Sequence, residues 1–196
     1  MAEGERAPPG GGATMPGMTE AAAPRRLFTA LFADAPACAA IDAARQGWGG
    51  LPRRLRPVPE RMHVTLQFFN AVQAEREQAW RAALAGLRFM PFDIHLTRPE
   101  LWHAPRGTIA VLRAAPGPAL DDLHAATNAL ARAAGLTPDA RPYKPHLTAL
   151  RQAERVQLTR LPAPITWRVR AVSLIWSDLQ AQPPCYQVLG CFGSAT

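Results

Sequence analysis

Short apolar runs that suit β-strands alternate along this chain with stretches of helical periodicity. The helical patterns span about 35–46, 74–84 and 118–134, and Asp34 and Gly47 are predicted to cap and end the first. A strand, a helix and another strand follow one another twice, which indicates a duplicated unit. The strand-like runs cover residues 26–33, 62–69, 89–96, 107–112, 145–150, 165–176 and 186–192.

The same motif, His-x-Thr, occurs in the last strand of both units. His63 and Thr65 form the first copy, and His146 and Thr148 form the second, 83 residues further on. Because side chains two residues apart share one face of a strand, each copy places an imidazole beside a hydroxyl. We therefore predict an α+β, bilobal fold of duplicated lobes, each an antiparallel sheet with helices outside, with the motif strands at a central cleft.

Composition divides the chain into a leader and a folded part. Residues 1–24 are small, polar and rich in Pro and Gly, which predicts a disordered leader. Residues 25–196 are predicted to form a single bilobal domain without a membrane span. Three cysteines match no zinc spacing, which favours a metal-free protein in the reducing cytoplasm. We expect a monomer with no obligate protein partner.

The net charge of +7 bears on the choice of partner. The predicted leader carries more acidic than basic residues, so the positive charge belongs to the folded part. Such a balance attracts polyanions such as RNA. Arginine-rich codon usage explains the same charge equally well, because Lys144 is the only lysine.

Two His-x-Thr pairs facing one another suit the cleavage of a phosphodiester. One imidazole takes a proton from the attacking water and the other gives one to the departing oxygen, since a histidine pKa of about 6.5 lies near working pH. Thr65 and Thr148 can donate hydrogen bonds to the non-bridging phosphate oxygens. This chemistry needs neither a metal nor another cofactor.

The chain resembles the two-histidine (2H) phosphoesterases, and most closely the bacterial RNA 2′,3′-cyclic phosphodiesterases of the LigT/ThpR type, formerly named 2′-5′ RNA ligases. The resemblance rests on RLFTA at 26–30, PERMHVTLQF at 59–68 and YKPHLT at 143–148, with Arg151 at the family's arginine position. It implies a LigT-like fold and hydrolysis of RNA 2′,3′-cyclic phosphate ends, for example on tRNA fragments, to 2′-phosphates. It also implies that His63 is the proton donor and His146 the proton acceptor. The residues alone leave that order open.

Further residues are predicted to bind the substrate. Arg151 holds phosphate by its family position, and Lys144 does so more weakly. Tyr143 and Phe28 are candidates for stacking on a base. Arg61, with Arg53, Arg54 and Arg56, crowds the loop before the first motif, where a role in binding the RNA backbone and a solvated loop are equally supported.

A third His-x-Thr, at His95, is interpreted as a bystander on a partly exposed strand. It has no partner at the half-length spacing, and Arg98-Pro99 are predicted to break the strand in favour of a turn-rich link to residue 107.

Three other functions stay open. The same histidines would catalyse 2′-5′ ligation, the reverse reaction, by microscopic reversibility. A non-catalytic RNA-binding protein would also account for the charge. A 2H enzyme for another substrate is equally compatible, because specificity lies in loops that the motifs do not describe.

Overall fold

The computed structural model describes residues 23–51, 61–105 and 107–193. The predicted leader at 1–24 therefore falls almost wholly outside the described residues, as do Arg53, Arg54 and Arg56. The described chain forms three helices: α1 (Ala35–Gln46), α2 (Ala74–Ala85) and α3 (Pro118–Ala133). It forms eight strands: β1 (Arg25–Phe32), β2 (His63–Val72), β3 (Phe92–Ala104), β4 (Gly107–Ala114), β5 (His146–Arg151), β6 (Ile165–Val169), β7 (Val172–Asp178) and β8 (Cys185–Phe192).

The strands form one antiparallel sheet in the order β6-β3-β4-β5-β2-β1-β7-β8. Each half of this order contains four strands, and the two motif strands, β5 and β2, meet at the centre. The repeated unit is β1-α1-β2 in one half and β4-α3-β5 in the other. The α+β fold, with its duplicated lobes of antiparallel sheet, is thus confirmed.

The helix bounds predicted from the sequence agree closely with the structure, and the residues at the ends of α1 and α3 explain why. The Asp34 side chain accepts a hydrogen bond from the Ala37 amide at 2.9 Å, which caps α1, and Gly47 closes its other end. Pro118 begins α3, where a missing amide hydrogen costs no helical hydrogen bond.

The helices connect the two halves of the sheet. Arg45 of α1 is 2 % exposed, and its Nη1 donates to the Ala149 carbonyl of β5 at 3.1 Å. On the other side, Gln67 Nε2 of β2 donates to the His124 carbonyl of α3 at 3.3 Å. Helices α1 and α3 therefore each contact the motif strand of the opposite unit, which helps to hold β2 and β5 relative to one another.

The prediction of a turn-rich link before residue 107 is wrong, because β3 continues through Arg98-Pro99 to Ala104. Pro99 pairs with Leu112 of β4, just after a register shift between Leu96 and Arg98. The β6 ladder on the other side of β3 ends at Leu96, so no partner there requires the amide hydrogen that proline lacks. His95 lies exposed on β3, as expected, with Nδ1 2.8 Å from Thr166 Oγ1.

Apolar side chains on the helix-facing side of the sheet form the main core. The largest fully buried members include Trp80, Leu27, Leu31, Ile41 and Met62. Over the described ranges, no helix has the length and apolarity needed to cross a bilayer.

Candidate active site

The two His-x-Thr motifs lie side by side at the centre of the sheet. Val64 of β2 pairs with Leu147 of β5, and both of these side chains are buried in the core. Their neighbours, His63 and Thr65 on β2 and His146 and Thr148 on β5, therefore lie on the opposite face, where they are half-buried. We refer to this face as the cleft face.

Both imidazoles are held in the same way. His63 Nδ1 lies 2.7 Å from the carbonyl oxygen of Arg61, and His146 Nδ1 lies 2.7 Å from that of Lys144. A carbonyl oxygen can only accept, so Nδ1 carries the hydrogen in each ring. In the neutral form this leaves the lone pair on Nε2, which can take a proton from a reacting group.

Aromatic rings surround His63. The ring centroid of Phe28 lies 5.0 Å from that of His63 in a stacked arrangement, with Phe32 at 5.2 Å and Tyr186 at 5.8 Å. Burial is the main reason that the pKa of His63 falls from 6.5 to about 4. The charge of Arg151 and a protonated His146 lower it further, while the hydrogen bond to the Arg61 carbonyl opposes the fall.

His146 has a polar neighbourhood instead. The Trp102 ring lies 4.4 Å from its ring, and Trp102 Nε1 donates to Glu100 Oε2 at 2.7 Å. Arg113 Nη1 reaches the same carboxylate oxygen at 3.4 Å. Burial lowers the pKa of His146, as does the charge of Arg113, whereas the bond to the Lys144 carbonyl and the charge of Glu100 oppose this. The two halves of the site thus differ: His63 lies among apolar rings and His146 beside an ion pair.

The predicted basic contacts lie close to the histidines. Arg151 is exposed at the end of β5, and its charge acts on His63. Lys144 is exposed and supplies the carbonyl that binds His146. The Arg61 guanidinium lies 5.1 Å from the ring of Tyr186 and donates to the Pro184 carbonyl. Their contacts with substrate stay predictions.

The two predicted aromatic contacts already have partners within the protein. Phe28 is 3 % exposed and lies against His63 and Tyr186. The Tyr143 ring stacks on His124 of α3, with centroids 3.8 Å apart, and its hydroxyl donates to the Thr65 carbonyl at 3.1 Å. Burial raises the pKa of that hydroxyl. Both rings therefore support the motif strands, and their stacking on a base stays a prediction.

Sequence reasoning did not single out three residues around the histidines: Phe32, Glu100 and Arg113. Phe32 pairs with His63 across β1 and β2, and Arg113 pairs with His146 across β4 and β5. These equivalent positions follow from strand register, which the sequence pattern does not display. To predict the positions of Phe32 and Arg113 from the sequence, one would have needed to know that β1 and β4 flank the motif strands. In residues 23–51, 61–105 and 107–193, no three His, Cys, Asp or Glu side chains group so as to hold a metal ion.

Comparisons with known proteins agree with the fold. The family model described as the 2′-5′ RNA ligase superfamily matches residues 33–181. The crystal structure of E. coli LigT complexed with 3′-AMP is 25 % identical with a TM-score of 0.75, covering 88 % of this chain and 99 % of that one. A crystal structure described as a phosphoesterase is 27 % identical with a TM-score of 0.76 and the same coverage of both chains.

A Thermus thermophilus protein of known structure is 26 % identical, with a TM-score of 0.62 over 85 % of this chain and 96 % of that one. A search of curated proteins found no match. The family match covers most of the chain, and the fold and the paired motifs agree with it. The chain belongs to the 2′-5′ RNA ligase superfamily of 2H phosphoesterases.

Proposed function

We propose that this protein hydrolyses the 2′,3′-cyclic phosphodiester ends of RNA to 2′-phosphates by metal-independent acid–base catalysis. The observation that carries the proposal is the matched pair of imidazoles, each held through Nδ1 at 2.7 Å by a backbone carbonyl on adjacent strands. Membership of the superfamily and the similarity to LigT, which has been crystallised with the ribonucleotide 3′-AMP, support it.

The reaction uses the two Nε2 atoms in opposite senses. His146 Nε2 takes a proton from water as its oxygen forms a bond to phosphorus. The bond from phosphorus to the ribose 3′ oxygen breaks, and His63 Nε2 protonates that oxygen, which leaves a 2′-phosphate. Exchange with solvent then restores the two protonation states. In-line attack suits this pair, because water enters and the 3′ oxygen leaves on opposite sides of phosphorus.

Charge on the phosphate oxygens needs compensation as the bond to water forms. Thr65 and Thr148 lie on the cleft face beside the histidines, where their hydroxyls can donate to the non-bridging oxygens. Arg151 adds a positive charge near His63. In this proposal these residues stabilise the transition state. The proposed substrates are RNA ends such as those of tRNA fragments, and the proposed location is the cytoplasm.

The test is turnover of an RNA oligonucleotide with a 2′,3′-cyclic phosphate end. We expect H63A and H146A each to lower the rate by at least about 100-fold, the lower range for a positioned acid or base. H95A is the matched control, because His95 also lies in a His-x-Thr on the same sheet, and it should keep the wild-type rate. Wild-type turnover by H63A or H146A would overturn the mechanism. RNA binding without turnover by the wild type would favour a non-catalytic role.

Ligation is the second candidate, favoured by the name of the superfamily. The same histidines would join a cyclic phosphate end to a 5′-hydroxyl: His146 would take the proton of that hydroxyl as its oxygen bonds to phosphorus, and His63 would protonate the departing 3′ oxygen, which gives a 2′-5′ linkage. Because water is present at far higher concentration than a 5′-hydroxyl, we expect hydrolysis to dominate. Incubating RNA halves with the protein and separating joined from hydrolysed ends distinguishes the two activities.

A further inference from the structure

The aromatic surroundings of the two motif histidines differ in how firmly they are held. The rings around His63 form a packed cluster, in which Phe28 is only 3 % exposed. His146 has instead the ring of Trp102 against it, with centroids 4.4 Å apart and planes at 52°. The cluster around His63 is fixed by its own packing, so the question is what fixes the indole beside His146.

Trp102 lies on a part of β3 that has few neighbours. The β6 ladder ends at Leu96, so within the described residues this part of β3 pairs with β4 alone. Trp102 is only partly buried. A side chain at the edge of a sheet can adopt other rotamers unless a contact selects one. The position of the indole against His146 therefore depends on its polar contact.

Glu100 supplies that contact. Trp102 Nε1 donates a hydrogen bond to Glu100 Oε2 at 2.7 Å. Three buried indoles elsewhere in the described chain have no hydrogen-bond partner for Nε1: those of Trp48, Trp80 and Trp167. The bond between the indole and the carboxylate is therefore particular to the site.

The same carboxylate also holds two arginines. Arg98 Nε lies 2.8 Å from Glu100 Oε1, and Arg113 Nη1 lies 3.4 Å from Oε2. Arg113 pairs with His146 across β4 and β5, and its guanidinium lies 5.4 Å from the centroid of the Trp102 ring. Glu100 thus joins the ring that packs on His146 to the cation beside it.

We propose that Glu100 is a positioning residue for His146: it holds the Trp102 ring against the imidazole and the Arg113 guanidinium beside it. The inference rests on the proposed function, in which His146 Nε2 must point at the attacking water. The bond from Nδ1 to the Lys144 carbonyl fixes one edge of the imidazole, and packing of the indole limits rotation about that bond. A displacement of about 1 Å in a reacting group can lower a rate about 100-fold.

Removing the carboxylate should slow turnover without weakening substrate binding. We expect E100A to lower kcat for a 2′,3′-cyclic phosphate oligonucleotide about 10-fold to 100-fold with KM unchanged. E100Q should keep most of the wild-type kcat at its own pH optimum, because its amide oxygen can still accept from the indole. D93N is the matched control: Asp93 also lies on β3 and bonds at 3.4 Å to an arginine of the neighbouring strand, Arg168 of β6. It should keep the wild-type kcat.

W102F tests whether Glu100 acts through the indole. Phenylalanine keeps an aromatic ring but has no donor for the carboxylate, so W102F should lower kcat to a similar extent as E100A. Once W102F is present, E100A should have little further effect on kcat, compared at the pH optimum of each variant. Thermal unfolding of each variant checks the fold. Wild-type kcat in E100A, an equal loss in D93N, or additive losses in the double variant would overturn the inference.

The charges around His146 give a readout that a purely structural role would not change. Charged and titratable side chains surround it from four strands and the segment before β5: Glu100 and Arg98 on β3, Arg113 on β4, His63 on β2, Arg151 on β5 and Lys144. Arg113 lowers the pKa of His146 and Glu100 raises it. E100Q should therefore move the optimum of kcat/KM to lower pH, and R113Q should move it to higher pH. Shifts of the same sign, or no shift in either variant, would overturn the inference.

Failure of the proposed function is distinguishable from failure of the inference. If the wild type hydrolyses no 2′,3′-cyclic phosphate substrate, the proposed function fails, and the NMR signal of His146 Cε1–H then tests the role of Glu100. E100A should move this chemical shift toward its value in W102L, because the indole ring no longer lies against the imidazole, whereas D93N should leave it unchanged. An unchanged shift in E100A would overturn the inference.

Discussion

The pKa of His63 should rise when a phosphate anion binds between the two histidines. In the free protein, burial lowers this pKa from 6.5 to about 4. At about 1.4 kcal/mol for each pH unit, the difference favours the neutral ring by about 3 kcal/mol. A unit negative charge about 4 Å from Nε2 contributes about 4 kcal/mol in the opposite sense at an effective dielectric constant of about 20. Bound phosphate should therefore return the pKa of His63 to at least its ordinary value.

The assay is an NMR titration of the imidazole Cε1–H signals, with inorganic phosphate as the anion and H63Q to identify the His63 signal. We expect His63 to titrate near pH 4 without phosphate and at or above pH 6.5 with it. A pKa near 6.5 in the phosphate-free protein would refute the role of burial. A pKa of 4 that phosphate leaves unchanged would refute the proposed position of the anion.

The same reasoning has a kinetic consequence. The pH dependence of kcat/KM reports the free protein, where the pKa values of both histidines are lowered. The pH dependence of kcat reports the complex, where the phosphate anion favours the protonated ring. We therefore expect the optimum of kcat/KM below pH 6.5 and that of kcat at a higher pH, and coinciding optima would contradict this.

Three further predictions concern stability and metal dependence. The pKa of His63 is lower in the folded than in the unfolded protein, so the unfolded protein takes up more protons between pH 6.5 and 4. The free energy of unfolding therefore falls as the pH is lowered from 6.5 to 4. H63Q should remove about 3 kcal/mol of this loss, measured by urea unfolding at pH 7 and pH 4; an unchanged loss contradicts it. Y143F should lower the free energy of unfolding by about 1 kcal/mol through loss of the bond to the Thr65 carbonyl, and a stability equal to wild type would count against that bond. Dialysis against EDTA should leave turnover unchanged, and a loss that divalent metal restores would oppose metal-independent catalysis.

The fold was predictable where a residue acts through its near neighbours. Asp34 caps α1 by bonding to an amide three residues away, and the apolar pattern that follows gives the helix its bounds. Pro99 is the opposite case, because its effect depends on where the β6 ladder ends. That boundary comes from β6, which lies more than sixty residues further along the chain. The strand around Pro99 was therefore predicted too short.

The candidate site was likewise predictable only in part. His63 and His146 could be found from two matching motifs at half-length spacing. Their differing surroundings could not, because Phe32 and Glu100 come close only through the register of neighbouring strands and the curl of the sheet. Phe28 was recognised as an aromatic near the site, but its burial against His63 is a property of packing. The reaction class thus follows from the motifs, whereas the pKa values require the structure.

The most direct test of the central claim is an analysis of the product from a defined RNA oligonucleotide with a 2′,3′-cyclic phosphate end. The assignment of His63 to the 3′ oxygen and His146 to water predicts a 2′-phosphate from the wild type and unreacted substrate from H63A and H146A. A 3′-phosphate, or complete hydrolysis by either variant, would contradict the account.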